Sequence, residues 1–141
     1  MIVKPNDSKF KAQFDVVSAF VRFGGTYLFL QHLDSNVEGG KWDTPRGRVK
    51  SGETTETATL RVLKEVTGFE VDEKTLKSLG EIHLIQDDVH FNCHSFVIDI
   101  VELQMLVLCR DTYQDYGWYK KDELSNMLLV TDMQECVGRY I

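Results

Sequence analysis

Gly47-Arg-Val-Lys-Ser-Gly-Glu53 and, seven residues later, Arg61-Val-Leu-Lys-Glu65-Val-Thr-Gly68-Phe69 decide how this chain is read. The first run is a glycine-bearing loop, and the second belongs to a helix that the loop feeds. Glycine lets backbone come close to a phosphate or a cation, and the start of a helix favours anions. A plain loop–helix connection with solvated charges has the same outline, and spacing alone does not separate the two. The segment Thr54 to Thr67 has helical character. Gly68 stands where a helix-ending glycine belongs, and Ser51 or Thr54 can cap the start.

Upstream, Phe14-Asp-Val-Val-Ser-Ala-Phe-Val-Arg-Phe23 is almost continuously apolar, β-branched and aromatic, which predicts a strand buried on both faces. Gly24-Gly25 makes a tight hairpin turn into a partner strand, Thr26 to His32. Residues 33–44 form a polar loop with Trp42 anchoring its end. Downstream, Asp72 to Ser78 reads as a short helix or turn. Gly80 to Gln86 and Cys93 to Leu103 read as strands joined by a turn at Asp87-Asp88. Gln104 to Cys109 is apolar with no clear register. Tyr116 to Tyr119 reads as a strand, and Lys121 to Leu129 and Asp132 to Tyr140 read as helices. Strands before, between and after helices predict a mixed sheet with helices packed on it, an α/β (α+β) arrangement in one domain, 1–141.

Composition narrows the function. The chain has 141 residues, enough for one ordinary core, and is 43% apolar and 27% charged, which excludes a disordered or membrane-like chain. No apolar run approaches the ~20 residues of a membrane span, and the polar, lysine-bearing start is unlike a secretory signal. Three separated cysteines, Cys93, Cys109 and Cys136, disfavour a disulfide framework and fit reduced thiols in the cytoplasm. A net charge of −6 excludes a basic nucleic-acid footprint, so a phosphate ligand would need a bridging divalent cation.

The spacing of Gly47, Glu53, Arg61, Leu63, Glu65, Gly68 and Phe69 resembles the Nudix box. The upstream hairpin, the approach Trp42-Asp-Thr-Pro-Arg-Gly47 and the downstream Gly117-Trp-Tyr119…Glu123-Leu124 also sit where that family has counterparts, so the resemblance covers most of the chain. It implies an α/β/α sandwich around a mixed sheet and Mg²⁺- or Mn²⁺-dependent hydrolysis of a nucleoside diphosphate linked to another group. The implied partner is a nucleotide-type small molecule. Neither a specific nucleic acid nor a membrane is implied, and a homodimer is left open because many members dimerise.

Two departures from the box stand out. Val62 and Val66 replace glutamates that serve the family as metal ligands or general base. Positions 62, 65 and 66 share an arc of about 100° on a helix. With valines there, that arc joins Ala58 and Phe69 as an apolar stripe, so core packing is the simpler role for both. The resemblance implies a metal held by Glu65 and the Gly47 carbonyl, with Glu53 and Arg61 supporting the loop and Gly68 closing the helix. Arg46 and Arg48 would meet phosphates, and Trp42, Tyr27 or Phe91 could stack on a base. Asp111, Asp115 and Glu102 are candidate bases. The run Gly47-Arg-Val…Glu53-Thr is similar to the GDP-mannose-hydrolysing branch, but that branch keeps a carboxylate at position 66 and a histidine near Tyr113. His83, His90 and His94 lack the companions of a zinc site. The alternative function is a catalytically impaired Nudix-fold module that binds a nucleotide or another protein.

Overall fold

The computed structural model describes residues 1–141. The elements in chain order are β1 (Ile2–Val3), β2 (Phe14–Phe23), β3 (Thr26–His32), β4 (Trp42–Asp43), β5 (Arg46–Arg48), α1 (Thr55–Thr67), β6 (Leu76–Gln86), β7 (Val89–Asp99), β8 (Tyr113–Tyr119), α2 (Lys121–Leu124) and α3 (Met133–Tyr140). One mixed sheet runs β1-β6-β7-β2-β3-β4, with β5 also on β2 and β8 also on β3.

The central strand is β2, and residues 16–21 are buried on both faces, as its composition predicts. It runs parallel to β7, with Phe14 opposite Phe91 and Arg22 opposite Asp99. It is antiparallel to β3 only beside their turn, at Arg22–Tyr27 and Phe23–Thr26. Beyond those rungs the two strands part. The segment 42–48 fills the gap, with β4 joined to β3 and β5 joined to β2. Inside the gap the buried Ser18 and Thr44 hydroxyls bond each other at 2.6 Å, so neither polar group is stranded.

Strand alternation sends successive side chains to opposite faces. Val17, Ala19 and Val21 meet α1 through Ala58, Val62 and Leu63. Val16 and Phe20 meet α2 and α3 through Leu124, Met133, Cys136 and Val137. The result is the expected helix–sheet–helix sandwich. Both hairpin turns use two consecutive left-handed residues, Gly24-Gly25 and Asp87-Asp88, the backbone that matches strand twist in a two-residue hairpin.

Several boundaries differ from the sequence reading. The strand expected over Cys93–Leu103 ends at Asp99, because β2 turns at Phe23 and Ile100 finds only the Arg22 carbonyl. Gln104–Cys109 joins no ladder; instead the Val107 and Cys109 amides donate to the Thr67 and Val66 carbonyls at the end of α1. The helix expected over Lys121–Leu129 stops at Leu124, because Leu128–Val130 pairs with Trp42 and pulls the chain into extended geometry. Asp72–Ser78 resolves into a 3-10 turn at Glu73–Thr75 and the first residues of β6.

Gly47 allows α1 to seat on β5. A Cβ built there would lie 2.7 Å from Cγ2 of Val62. Gly47→Ala is therefore expected to cost about 1–3 kcal/mol in urea unfolding, with part of it recovered by adding Val62→Ala. An unchanged unfolding midpoint for Gly47→Ala would mean that this contact does not set the helix position.

Candidate active site

The loop at 49–53 and α1 are locked together by one guanidinium. Thr54 caps α1 in a reciprocal capping box with Thr57, and left-handed Gly68 closes its other end by donating to the Lys64 carbonyl. Arg61 faces the loop from the second turn. Its Nε donates to Glu53 Oε2 at 2.7 Å and its Nη2 to Glu53 Oε1 at 3.0 Å, a two-pronged ion pair. Nη2 also donates to the Arg48 carbonyl at 2.8 Å, and Nη1 to Glu65 Oε2 at 3.1 Å. Glu53 Oε1 accepts the Lys50 amide as well. Hydrogen bonds from Arg61 and then from the Lys50 amide hold the Glu53 carboxyl down at about 2.

The rotation of α1 decides which side chains reach solvent. Ala58 and Val62 lie on the sheet side and are buried; Val66 flanks them, half-buried between two core clusters. The two valines that replace glutamates are thus packing residues. Glu65 is about 60° around the helix from Val62 and four residues from Arg61. It is 56% exposed, more open than its apolar neighbours in sequence suggested, with one oxygen on Arg61.

The ladder sorts the backbone groups at 46–48. Val49 donates to the Asp15 carbonyl and Ala19 to the Pro45 carbonyl, so antiparallel alternation makes Val17–Gly47 a hydrogen-bonded pair between them. The Gly47 carbonyl expected to face a metal therefore points into the sheet. The Arg46 and Arg48 carbonyls point the other way, and Arg61 takes the second.

The same alternation moves the arginine side chains. Arg46 and Arg48 lie on the α3 face, opposite α1. Arg48 stacks on Phe14 at 3.7 Å from the ring centre, and Phe14 stacks on Phe91 at 5.3 Å. Arg46 points inward; its Nε is buried without a hydrogen-bond partner, 3.7 Å from Asp43 Oδ1. Burial is the largest single effect and opposes its charge, but Asp43, with Cys93, Cys136 and Tyr113 adding to it, outweighs burial and the group is held protonated. Trp42 packs edge-on against Tyr119 in the α3-side core, and Tyr27 is a core residue there too.

The candidate bases are dispersed. Asp115 stands opposite Gln31 on the α3 face and accepts the Tyr116 amide. Glu102 lies beyond the far end of β7, beside Glu70 and Asp99. Asp111 is in the turn just after Cys109, whose amide donates to the Val66 carbonyl near the end of α1. No three His, Cys, Asp or Glu side chains converge into a cation site. His94 instead lies between Asp15 at 3.0 Å and Glu81 at 3.3 Å, and His83 pairs with Asn92.

Sequence reading missed a groove of ≈ 450 Å³ whose lining includes Val37, Glu38, Gln86, Phe91 and Thr131. Glu38 ties its wall to the chain before α3, accepting the Thr131 amide at 3.2 Å and its hydroxyl at 2.6 Å. These partners are 93 positions apart, a separation that leaves no local signal. The loops after β3 and β5 and the turn before β7 all leave from the end of the sheet where β2 begins, so groove and loop share that end.

A mixed sheet split by an inserted strand pair, with a glutamate–arginine lock between loop and helix, defines a Nudix-type hydrolase domain. The NUDIX domain family matches residues 12–137, and the chain belongs to the Nudix hydrolase family. It is 26% identical over 122 residues to nucleoside triphosphatase NudI of Salmonella heidelberg, covering 78% of this chain and 84% of the relative. Its fold is shared with a MutT NUDIX hydrolase of Burkholderia pseudomallei, at TM-score 0.79 and 18% identity over 91% of this chain and 98% of the other. The NUDIX domain of Shewanella oneidensis NrtR, crystallised with ADP ribose, matches at TM-score 0.77 and 19% identity over 96% and 91%. No helix is long and apolar enough to cross a membrane.

The Glu53–Arg61 pair has a pH signature. Because the folded carboxyl sits near 2 rather than its ordinary 4.5, its stabilising effect is complete above about pH 4.5 and is lost as pH falls toward 2. Glu53→Gln is expected to flatten that limb of a stability-against-pH curve. Parallel acid limbs in the two proteins would mean that the pair does not stabilise the fold.

Proposed function

We propose that this chain is a divalent-cation-dependent Nudix hydrolase acting on a nucleoside diphosphate linked to another group. The observation that carries the reading is the lock of Glu53, Arg61 and Glu65. It holds the glycine loop on α1 and leaves Glu65 exposed, with one oxygen unpaired. This donor set does not fit the family's multi-carboxylate cluster. Glu65 would hold a single Mg²⁺ or Mn²⁺, a cation that typically binds through one or two carboxylates together with substrate phosphates. A cation so placed lowers the pKa of water and offsets charge on phosphate oxygens.

The chain's own groups have separate tasks in this reading. Arg61 fixes Glu65 and also holds the Arg48 carbonyl, and the Arg46 carbonyl turns away from β2 on that same side. The groove takes the nucleoside, with Phe91 as its apolar floor and Glu38 as an acceptor on its wall. Arg48, stacked on Phe14, stands near enough to that floor to meet a phosphate at the rim. Asp111 is the proposed base that takes the proton of the attacking water, and Asp115 and Glu102 have no part in it. The domain spans 1–141 and works in the cytoplasm, consistent with three free cysteines.

The second reading is a Nudix-fold module that binds a nucleotide with little or no turnover. The burial of Val62 and the packing of Val66 favour it, because neither position offers a ligand.

Release of phosphate or pyrophosphate from nucleoside diphosphate sugars, dinucleoside polyphosphates and nucleoside triphosphates, with and without Mg²⁺, separates the two. The hydrolase reading expects turnover of at least one class only with the cation. Glu65→Gln should then lower turnover at least ~10-fold without changing the melting temperature, and Asp111→Asn should lower kcat more than it changes KM. Binding without turnover across the panel would give the second reading the lead. Val62→Glu with Val66→Glu should lose stability without Mg²⁺, since one buried and one half-buried carboxylate are unpaired, and regain it when Mg²⁺ is added. Indifference to Mg²⁺ would mean that the site geometry, beyond the missing carboxylates, has changed.

A further inference from the structure

The groove assigned to the nucleoside has one-sided hydrogen-bonding chemistry. Its ≈ 450 Å³ is the size of a small-molecule site, and Val37, Ile85, Val89 and Phe91 give it apolar walls. The side-chain donors on it are spent. Gln86 Nε2 donates to Asp132 Oδ2 at 3.0 Å and to the Thr131 carbonyl at 3.4 Å. Both partners are acceptors, which settles the orientation of the amide. The Thr131 hydroxyl donates to Glu38 at 2.6 Å. The Met1 ammonium, the one positive group on the lining, is held by Asp132 Oδ2 at 2.6 Å and the Ile85 carbonyl at 2.9 Å. The acceptors, by contrast, are free. Gln86 Oε1 receives no hydrogen bond. Asp87, left-handed at φ 48 in the hairpin turn, is exposed, and its carboxylate has no hydrogen-bond or ion-pair partner.

Free acceptors on an apolar slot fit a flat group whose edge is made of N–H donors. Among the nucleobases guanine has that edge: its N1–H and N2–H₂ stand side by side, and both can meet one carboxylate. Adenine and cytosine offer one amino group beside a ring acceptor. Uracil sets its single N–H between two carbonyl oxygens, which would face the Asp87 and Gln86 oxygens. A polar site discriminates most against the ligand that leaves its groups unpaired. The Glu38 and Asp87 carboxylates also repel phosphate. The base therefore enters the groove and the diphosphate stays at the rim, where Arg48 stacks on Phe14 beside Phe91.

We propose that Asp87, with Gln86, makes this groove selective for guanine, so that the ligand is a guanosine diphosphate, alone or linked to another group. The inference rests on the reading that the groove takes the nucleoside. It gives Asp87 a role that the turn alone does not require. The turn needs left-handed backbone at both 87 and 88. Asp88 meets that need while lining a different hollow, with Lys9, Lys11 and His90.

The test is calorimetric binding of GDP, ADP, CDP and UDP to the full chain with Mg²⁺, beside turnover of the matching diphosphate sugars. GDP should bind most tightly and UDP least, at least ~10-fold apart. Asp87→Asn keeps a side chain that tolerates left-handed backbone but has one acceptor oxygen in place of two. It should weaken GDP at least ~10-fold and leave UDP within about 2-fold, with the melting temperature unchanged. Asp88→Asn should alter neither. Amide shifts on adding GDP separate this inference from the reading beneath it. Shifts absent from 86–91 and Thr131 would mean that the groove does not take the nucleoside, and both fall. Shifts there with equal affinity for GDP and UDP, or an unchanged ratio in Asp87→Asn, would overturn the selectivity alone. Selective binding without turnover would uphold it and give the non-hydrolytic reading the lead.

Discussion

The Arg61 guanidinium is the constraint on which the site depends. It meets three different parts of the chain: the Glu53 carboxylate, the Arg48 carbonyl and the Glu65 carboxylate. A loop of this kind has few backbone bonds of its own; Glu53 donates to the Lys50 carbonyl and little else closes it. A planar, always-charged fork can satisfy several acceptors at fixed angles, which lysine's single ammonium cannot. The glycine loop thus takes its shape from a helix side chain rather than from its own sequence. The exposed Glu65 oxygen is oriented by the same group.

That lock works because the sheet presents β5 at the right place. β2 and β3 stay paired only at their turn, and 42–48 enters between them. The Ser18–Thr44 bond and the rungs from Pro45 to Val49 hold the inserted segment. Val62 then seats on Gly47, where any side chain larger than hydrogen would collide. Replacing a box glutamate by valine has a physical reading here. The helix gains apolar contact with the inserted strand and gives up a ligand, so the fold is reinforced at the point where the family's chemistry is concentrated.

The fold was largely legible in the sequence, and the site only in part. The continuous apolar run of β2, the glycine and aspartate turns, and the Thr54-to-Gly68 helix are local patterns, and local physics settles them. The Glu53–Arg61 pair was implied by the resemblance to the Nudix box. Misreadings came where long-range pairing decides the outcome. Leu128–Val130 looks helical until Trp42 is found beside it. Ile100–Leu103 looks like strand until β2 is seen to turn away. Arg46, Arg48 and the Gly47 carbonyl depend on the register of a three-residue strand after a proline, which nothing within 45–49 reveals. A one-residue shift would exchange their faces. Glu65 stays open because an arc of about 100° on a helix spans both a buried stripe and its exposed flank.

The most direct measurement of the central claim is amide hydrogen exchange in the full chain and in Arg61→Ala. If Arg61 shapes the loop, protection of the amides from Lys50 to Thr54 should collapse in the variant, while Leu63 to Thr67 and the β2 amides remain protected. Unchanged protection at Lys50 and Glu53 would contradict the account, because the loop would then hold its shape without the guanidinium.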